Sequence, residues 1–234
     1  MGLSWYQLRN YVALCALTLT ALLLSVAAHA ETSVSVEAEA YDLSEELPVQ
    51  ASAQTSPHVN SHAALARFGP FSIVAVDRAE LNGVIETNTP AQFRAMLRAY
   101  PALKQIDMID CPGTDDDEAN FTIAHMIRKA GITTYVPDAG SVRSGGVELF
   151  LAGAKRRAAP TAEFAVHSWR DEDGREPDDY AANDPANQEY IAFYREVGMD
   201  AAKAKAFYAL TNSVPNDEAL YLKPRDIAAY IALD

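Results

Sequence analysis

Short apolar segments rich in β-branched residues alternate with helical segments from Phe71 to the end of the chain. The run Phe71-Ser-Ile-Val-Ala-Val predicts a strand, and Thr89-Pro90 predicts a helix start with proline at the first helical position. The alternation continues with further strands over 79–85, 105–110, 131–136 and 162–167 and helices over 89–100, 115–130, 147–154, 188–210 (broken near Gly198) and 224–230. Such an alternation predicts an α/β fold.

The first thirty residues have the pattern of a secretory signal peptide. Arg9 is their only charged side chain, and it precedes an apolar run that ends at Ala28-His29-Ala30. A positive start, an apolar middle and an A-x-A site predict cleavage before Glu31 and an exported protein, periplasmic or secreted. The alternative is an uncleaved anchor, because the run is nearly long enough to cross a bilayer. Only in that case is membrane contact expected.

Residues 31–66 are rich in Ser, Ala, Glu and Thr, and between 31 and 64 they carry six carboxylates and no lysine or arginine. A segment of this composition cannot bury enough apolar surface to offset its ordering entropy. We therefore predict an acidic disordered linker over 31–66 and one folded domain over 67–234. The 49% hydrophobic content of the chain is ample for such a core.

Charge and motif content exclude several classes of function. The net charge is −13, and residues 65–234 carry 26 acidic against 18 basic side chains, so the clustered basic face of a nucleic-acid-binding protein is not expected. No P-loop motif indicates ATP use, and no H-E-x-x-H or paired-cysteine motif indicates zinc. We predict neither a metal nor a cofactor. Cys15 lies in the signal segment, which leaves Cys111 as a small buried hydrophobe rather than a nucleophile.

Acidic residues 115–118 begin the second predicted helix. Thr114 and Asp117 fit a capping box, which predicts Thr114 as the N-cap residue. The carboxylates complement the positive end of the helix dipole, and we favour this interpretation over a metal site. His125 falls on the same helix and is interpreted as a structural or surface residue.

The turn Ser144-Gly145-Gly146 stands at the start of a predicted helix and offers nucleophilic chemistry. A glycine after a serine permits a sharp turn, and the N–H of Gly145 would face an oxygen bound beside the serine, as in an oxyanion hole. Gly113 and Thr114, at another strand-to-helix turn, could supply a second donor. His167 ends a predicted strand and could take the serine proton as general base.

Five segments, falling in the same order along the chain, resemble the motifs of Clp-type serine peptidases of the ClpP/crotonase superfamily. That family has a Ser-Pro-Gly-Gly loop, a helix and then Gly-x-x-x-Ser; here Cys111-Pro-Gly-Thr precedes Gly140-Ser-Val-Arg-Ser144. The family's next Ala-Gly pair and its histidine correspond to Ala152-Gly153 and His167. The closing Tyr221-Leu-Lys-Pro-Arg-Asp-Ile-Ala-Ala-Tyr resembles the family's Phe-Leu-x-x-x-Glu-Ala segment. The resemblance covers roughly residues 71–234.

The resemblance implies a fold, a mechanism and an assembly. It implies a spiral of ββα units in which Ser144 is the nucleophile and His167 its base. Gly145 and the Gly113–Thr114 turn would donate to the oxyanion. It also implies a homo-oligomer, in which the helix at 188–210 takes the place of the helix through which family members stack their rings.

Two positions depart from the family pattern. Thr114 replaces the second glycine of the loop, which keeps the N–H but narrows the accessible backbone angles. The family's aspartate, counted back from Tyr221-Leu222, falls at Ala219. Glu218 is therefore the tentative acid, with Asp217 and Asp171 as alternatives, and a Ser–His dyad remains open.

Three hypotheses of function follow. The leading one is an exported serine hydrolase, a peptidase acting on peptides or unfolded segments through an acyl-enzyme on Ser144. The second keeps the fold but uses the paired N–H groups for crotonase-type acyl-thioester chemistry. The third, motivated by Ala219, is a catalytically degenerate binding or assembly module.

Overall fold

The computed structural model describes residues 64–234. The predicted signal peptide and all but the end of the predicted linker lie outside the described residues and stay predictions. Within the described range, no helix has the length and apolar character needed to cross a membrane.

The described residues form nine strands and six helices, with one 3₁₀ turn at Pro177–Asp179. The strands are β1 (Ala66–Phe68), β2 (Phe71–Ala75), β3 (Arg78–Asn82), β4 (Gln105–Cys111), β5 (Thr133–Val136), β6 (Ser141–Arg143), β7 (Lys155–Ala158), β8 (Glu163–Val166) and β9 (Leu220–Leu222). The helices are α1 (Thr89–Ala99), α2 (Asp117–Lys129), α3 (Gly146–Leu151), α4 (Pro185–Glu196), α5 (Ala201–Thr211) and α6 (Pro224–Ala228).

Strand β4 is the branch point of the sheet. Its first half pairs in parallel with β5, and its last two residues, Asp110 and Cys111, pair in parallel with β6. The main path runs β1-β2-β3-β4-β6-β8-β9, antiparallel at both ends and parallel in the middle, while β7 extends the branch that β5 begins. The carboxyl ends of β4, β6 and β8 therefore meet at one edge.

The strands and helices repeat as ββα units, which confirms the predicted fold class. In the units β5-β6-α3 and β7-β8-α4, the first strand joins the branch and the second joins the main path. Helix α3 is buried over its whole length, with Phe150 against Phe164 of β8 at a ring-centroid distance of 4.9 Å. The segment that follows Ser144 is thus fixed from all sides.

Most predicted elements are confirmed, and the misses share a cause. Four strands, β1, β6, β7 and β9, were not predicted as strands; each has only three or four residues and is defined by its neighbours in the sheet. The break near Gly198 is confirmed, with φ +118° at that residue between α4 and α5.

The predicted helix caps are wrong by one or two residues. Helix α1 has Asn88 as its N-cap instead of Thr89, and α2 has Asp116 instead of Thr114. The Asp116 carboxylate accepts from the N–H of Ala119 at 2.9 Å, whereas the Thr114 hydroxyl accepts from the N–H of Asp116 at 3.0 Å. Thr114 is therefore part of the turn before the helix.

Gly153, between α3 and β7, is required by packing. A Cβ there would lie 2.6 Å from the Lys155 carbonyl oxygen and closer still to the Thr134 hydroxyl. We expect Gly153→Ala to lower the free energy of unfolding by about 1–3 kcal/mol, as overpacking does in tight sites. Urea denaturation measures this. The exposed neighbour Ala154, changed to Ser, is the control and should stay within about 0.5 kcal/mol of the wild type; equal stability of both variants would contradict the packing argument.

Candidate active site

Ser144 occupies the turn between β6 and α3 in a left-handed backbone conformation, with φ +49°. Its N–H donates to the Ala165 carbonyl of β8 at 2.9 Å, and its own carbonyl accepts from the N–H of Val147 at 2.9 Å. A non-glycine residue in the left-handed region of backbone angles costs about 1–2 kcal/mol of conformational free energy. The packing of α3 and the pairing of the sheet offset this cost. Strain of this kind is characteristic of functional turns.

The backbone of Gly113 lies directly against the Ser144 side chain. A Cβ at Gly113 would stand 2.8 Å from the Ser144 Cβ and 3.3 Å from its Oγ, and φ at Gly113 is +130°. Both the space and the backbone angle therefore require glycine. The hydroxyl is held beside the loop that follows β4, as the sequence predicted.

Two backbone N–H groups are free to serve as oxyanion donors. The N–H of Ile85 donates to the Gly113 carbonyl, and the carbonyl of Ile85 accepts from the N–H of Asp115. In this parallel pairing the residue between them, Thr114, directs its own N–H away from Ile85, toward the side of β4 on which β6 lies. Among the described residues, no acceptor takes the N–H of Thr114 or of Gly145. The backbone of Gly113 acts instead on the Cys111 thiol, whose pKa it lowers.

Gly145 is positioned by the residues around it. A Cβ there would lie 2.7 Å from Thr114 Cγ2 and 2.9 Å from Asn120 Nδ2. The Asn120 amide donates to the Gly145 carbonyl at 2.8 Å, which orients the peptide plane that precedes Gly146. The Thr114 and Gly145 segments are thus packed against each other beside Ser144.

His167 lies just beyond β8 and lines the same cavity as Ser144. Its Nδ1 is 2.8 Å from the Ser168 carbonyl oxygen. Because a carbonyl can only accept, Nδ1 carries the proton of the neutral ring, and Nε2 keeps the lone pair that a general base needs.

Asn216, and not one of the predicted acids, is the side chain that meets His167 Nδ1 and the Ser168 carbonyl. Its Nδ2 lies 3.1 Å from His167 Nδ1 and donates to the Ser168 carbonyl at 2.7 Å, while Arg170 donates to its Oδ1. The amide and the imidazole therefore share one acceptor. A second link, from the N–H of Ser168 to the Val214 carbonyl at 3.0 Å, ties the segment that carries Asn216 to the end of β8.

The three predicted acids are placed elsewhere. Glu218 and Asp217 are exposed and do not line the cavity. Asp171 lies on its rim, where it accepts from Arg175 at 3.0 Å and from the Tyr180 hydroxyl, and the Tyr180 bond lowers the pKa of the Asp171 carboxyl. The sequence does not mark Asn216, because the family pattern leads to a carboxylate here and the residue lies 49 positions after His167.

The other two candidate side chains are outside the cavity. His125 is exposed on α2 and pairs with Glu196 at 3.2 Å, consistent with a surface residue. Cys111 is fully buried beneath Gly146, and burial raises the pKa of its thiol to about 12, so a thiolate nucleophile is not available.

The cavity beside Ser144 has a volume of about 850 Å³. On its inner side, Glu148 of α3 accepts from the Tyr194 hydroxyl at 2.6 Å. At its exposed mouth, Asp117 of α2 accepts from the Tyr190 hydroxyl at 2.9 Å. Burial raises the pKa of Glu148 from an ordinary 4.5 to about 7, and burial also raises the pKa of Asp117. The sequence analysis did not identify these residues; the only signal was a single glutamate within the apolar run of α3.

Comparisons with known proteins were made at the level of sequence and of structure. A scan against protein-family models gives no match, and a search of curated proteins gives none either. Among solved structures, the chain is similar to ClpP1 from Listeria monocytogenes, in a single-residue variant (18% identity, 66% of this chain and 87% of that chain, TM-score 0.48). It is also similar to a 1510-N membrane protease specific for a stomatin homolog from Pyrococcus horikoshii (17% identity, 66% and 69%, TM-score 0.44).

A variant of the 1510-N membrane-bound stomatin-specific protease in complex with a substrate peptide is similar at 20% identity, over 66% of this chain and 71% of that chain, with a TM-score of 0.45. At these identities the likeness concerns the fold alone.

The raised pKa of Glu148 predicts a pH dependence of stability. A carboxyl whose pKa is higher folded than unfolded holds its proton longer in the folded state, so stability falls as pH rises from about 4.5 to about 7. In Glu148→Gln, the loss of unfolding free energy over this pH range should be smaller by on the order of 3 kcal/mol. Urea unfolding of both proteins at pH 5 and pH 8 measures it, with the exposed Glu189→Gln as control. Parallel declines in wild type and Glu148→Gln would contradict the assignment.

Proposed function

We propose that the protein is an exported serine hydrolase, a peptidase that cleaves peptides or unfolded segments through an acyl-enzyme on Ser144. The main support is the left-handed backbone of Ser144, whose side chain lies against Gly113. The free N–H groups of Thr114 and Gly145 lie beside it, and His167 lines the same cavity. Export rests on the N-terminal sequence pattern alone.

The mechanism needs a nucleophile, a general base and a pair of oxyanion donors. Ser144 Oγ attacks the carbonyl carbon of the scissile bond while Nε2 of His167 takes its proton. The carbonyl oxygen gains negative charge, which the N–H groups of Thr114 and Gly145 stabilise. His167 then gives the proton to the leaving amine. Water, activated by the same imidazole, releases the acyl group from Ser144.

Asn216 acts on the orientation of the imidazole and not on its charge. By holding the Ser168 carbonyl, to which Nδ1 also donates, it keeps Nε2 free for the serine proton. An amide cannot balance the positive charge of the imidazolium as a carboxylate does. The proposed enzyme is therefore a weaker base catalyst than a full Ser–His–Asp triad would be.

The cavity volume is in the range that accommodates several substrate groups, which favours a peptide over a minimal ester. The sequence contains no P-loop motif, so we propose cleavage without an ATP-driven unfolding step.

A fluorophosphonate probe tests the nucleophile. We expect it to label the purified protein covalently, because the proposed site combines an activated serine with oxyanion donors, and we expect Ser144→Ala to abolish labelling. In-gel fluorescence followed by peptide mass mapping measures this. Ser213→Ala, an exposed serine outside the cavity, is the control and should label like wild type. If wild type stays unlabelled, the degenerate binding module becomes the better hypothesis.

Variants at Asn216 test the third member of the site. Asn216→Asp places a carboxylate beside His167 Nδ1 and should raise the labelling rate by roughly tenfold, since it stabilises the imidazolium. Asn216→Ala should lower the rate by a similar factor, because the imidazole loses its orienting neighbour. Stopped labelling time courses over pH 6–9 give the rates. Identical rates in all three proteins would show that Asn216 plays no part.

A further inference from the structure

The cavity beside Ser144 is strongly asymmetric in charge. Seven carboxylates line it, against one arginine and His167, and no lysine stands among these lining residues of the described chain. Most of the carboxylates lie on the exposed rim near the start of α2, where they are solvated. Charge on an exposed rim does not by itself identify a ligand. The buried polar groups of the inner wall restrict the ligand further.

We define the acceptor pocket as the inner part of this cavity, formed by α2, α3, α4 and the end of α5. Its polar side chains are Asn120, Glu148, Tyr190, Tyr194 and Asn212, with Asp117 at its exposed mouth. Hydrogen bonds join Tyr194 to Glu148 and Tyr190 to Asp117.

Glu148 connects this pocket to the nucleophile. It lies one helical turn after Ser144, is 5% exposed, and accepts a single hydrogen bond from a side chain, that of Tyr194. A carboxylate offers about four lone-pair positions, so most of its accepting capacity is unused. Burying a carboxylate in this way is costly unless a positive or donating group arrives.

Asn120 gives independent evidence for a missing donor. Its side chain is 2% exposed and its Nδ2 is committed to the Gly145 carbonyl, which fixes the direction of the amide. Its Oδ1 has no hydrogen-bond partner among the described residues, and the residue lines the cavity. Buried polar atoms are rarely left unpaired, and each such exception needs a cause.

Asn212, at the end of α5, also lines the cavity and repeats the arrangement. Its Nδ2 donates to the Tyr208 carbonyl at 2.7 Å, and its buried Oδ1 is without a partner in the described part of the chain. The hydroxyls of Tyr190 and Tyr194 already donate to Asp117 and Glu148, so they too can offer only lone pairs. The pocket presents acceptors from every wall.

Aromatic rings complete the wall. Phe121 packs edge-on against Tyr190 at 5.1 Å, and the Tyr190 and Tyr194 rings are 6.5 Å apart. Aromatic faces attract ammonium and guanidinium groups, and acceptor oxygens bind their N–H donors.

We infer that the acceptor pocket binds the side chain of a substrate lysine or arginine next to the scissile bond, so that the enzyme cleaves beside basic residues. Glu148 supplies the countercharge, and the free oxygens of Asn120 and Asn212 accept from the remaining N–H groups. The assignment rests on the proposed function for its cleavage step, but the binding step stands apart from catalysis.

Binding is tested without turnover in the Ser144→Ala background. Benzamidine, a cationic amidine on an aromatic ring, is titrated by calorimetry against the purified protein, with the neutral benzamide as the matched ligand. We expect benzamidine to bind at least about tenfold more tightly than benzamide, because hydrogen bonds to charged groups exceed neutral ones by that order. Adding Glu148→Gln should remove the difference, and adding Glu189→Gln, on the exposed surface of α4, should preserve it.

Cleavage is tested with paired fluorogenic peptides that differ only in arginine or its neutral isostere citrulline before the scissile bond. Wild type should favour arginine in kcat/KM by at least about tenfold, and Glu148→Gln should lose most of that ratio. Fluorophosphonate labelling of Glu148→Gln reports that it is folded with a working nucleophile. Asp117→Asn provides a second variant and should weaken the arginine preference in the same direction.

The outcomes separate the two proposals. Suppose that Ser144 is labelled but benzamidine and benzamide bind equally, or both peptides are cleaved equally. Either result overturns the basic-residue pocket and leaves the serine hydrolase proposal intact. Selective, Glu148-dependent benzamidine binding without any labelling supports the pocket and overturns the hydrolase. Selective binding that persists unchanged in Glu148→Gln also overturns the pocket as assigned.

Discussion

The close approach of the Gly113 backbone to the Ser144 side chain is the contact on which the site depends. It requires glycine twice over, for space and for φ +130°, and it brings the loop after β4 beside the turn after β6. Because the two strands are adjacent and parallel, both turns emerge at the same edge of the sheet. The N–H groups of Thr114 and Gly145, the proposed oxyanion donors, then lie beside Ser144 without further adjustment, which is the preorganisation that lowers a barrier.

The strained backbone of Ser144 is stabilised by the buried helix that follows it. Ser144 is held in a left-handed conformation while every residue of the following helix is buried, so the cost of the turn is met by the packing of α3. Burial that stabilises the turn also encloses Glu148 and raises its pKa. The same short helix thus fixes the proposed nucleophile and places an acid one turn behind it. Overpacking at Gly153, just after this helix, would therefore affect both groups.

The sequence allowed the long elements to be predicted, because apolar patterning, proline at helix starts and Gly198 mark their approximate limits. It did not allow β1, β6, β7 and β9 to be predicted, since three or four residues such as Lys155-Arg-Arg-Ala become a strand only through their partners. Ser144, His167, Gly145 and Thr114 were identified by turn chemistry and by spacing. Asn216 was missed because its role depends on the chain returning to His167 across many residues, and an offset counted from Tyr221-Leu222 does not carry that information.

The hydrogen bonds between Ser168 and the segment from Val214 to Asn216 close the base of the excursion that contains α4 and α5. Tyr190, Tyr194 and Asn212 belong to this excursion, whereas Ser144, His167 and Glu148 belong to the rest of the domain. The proposed chemistry therefore lies outside the excursion, which contributes part of the wall of the proposed pocket. Because the ends of the excursion are already joined, its length and sequence can change at little entropic cost to the rest of the domain. Its part of the wall could be exchanged, in evolution or by design, while Glu148 stays in place.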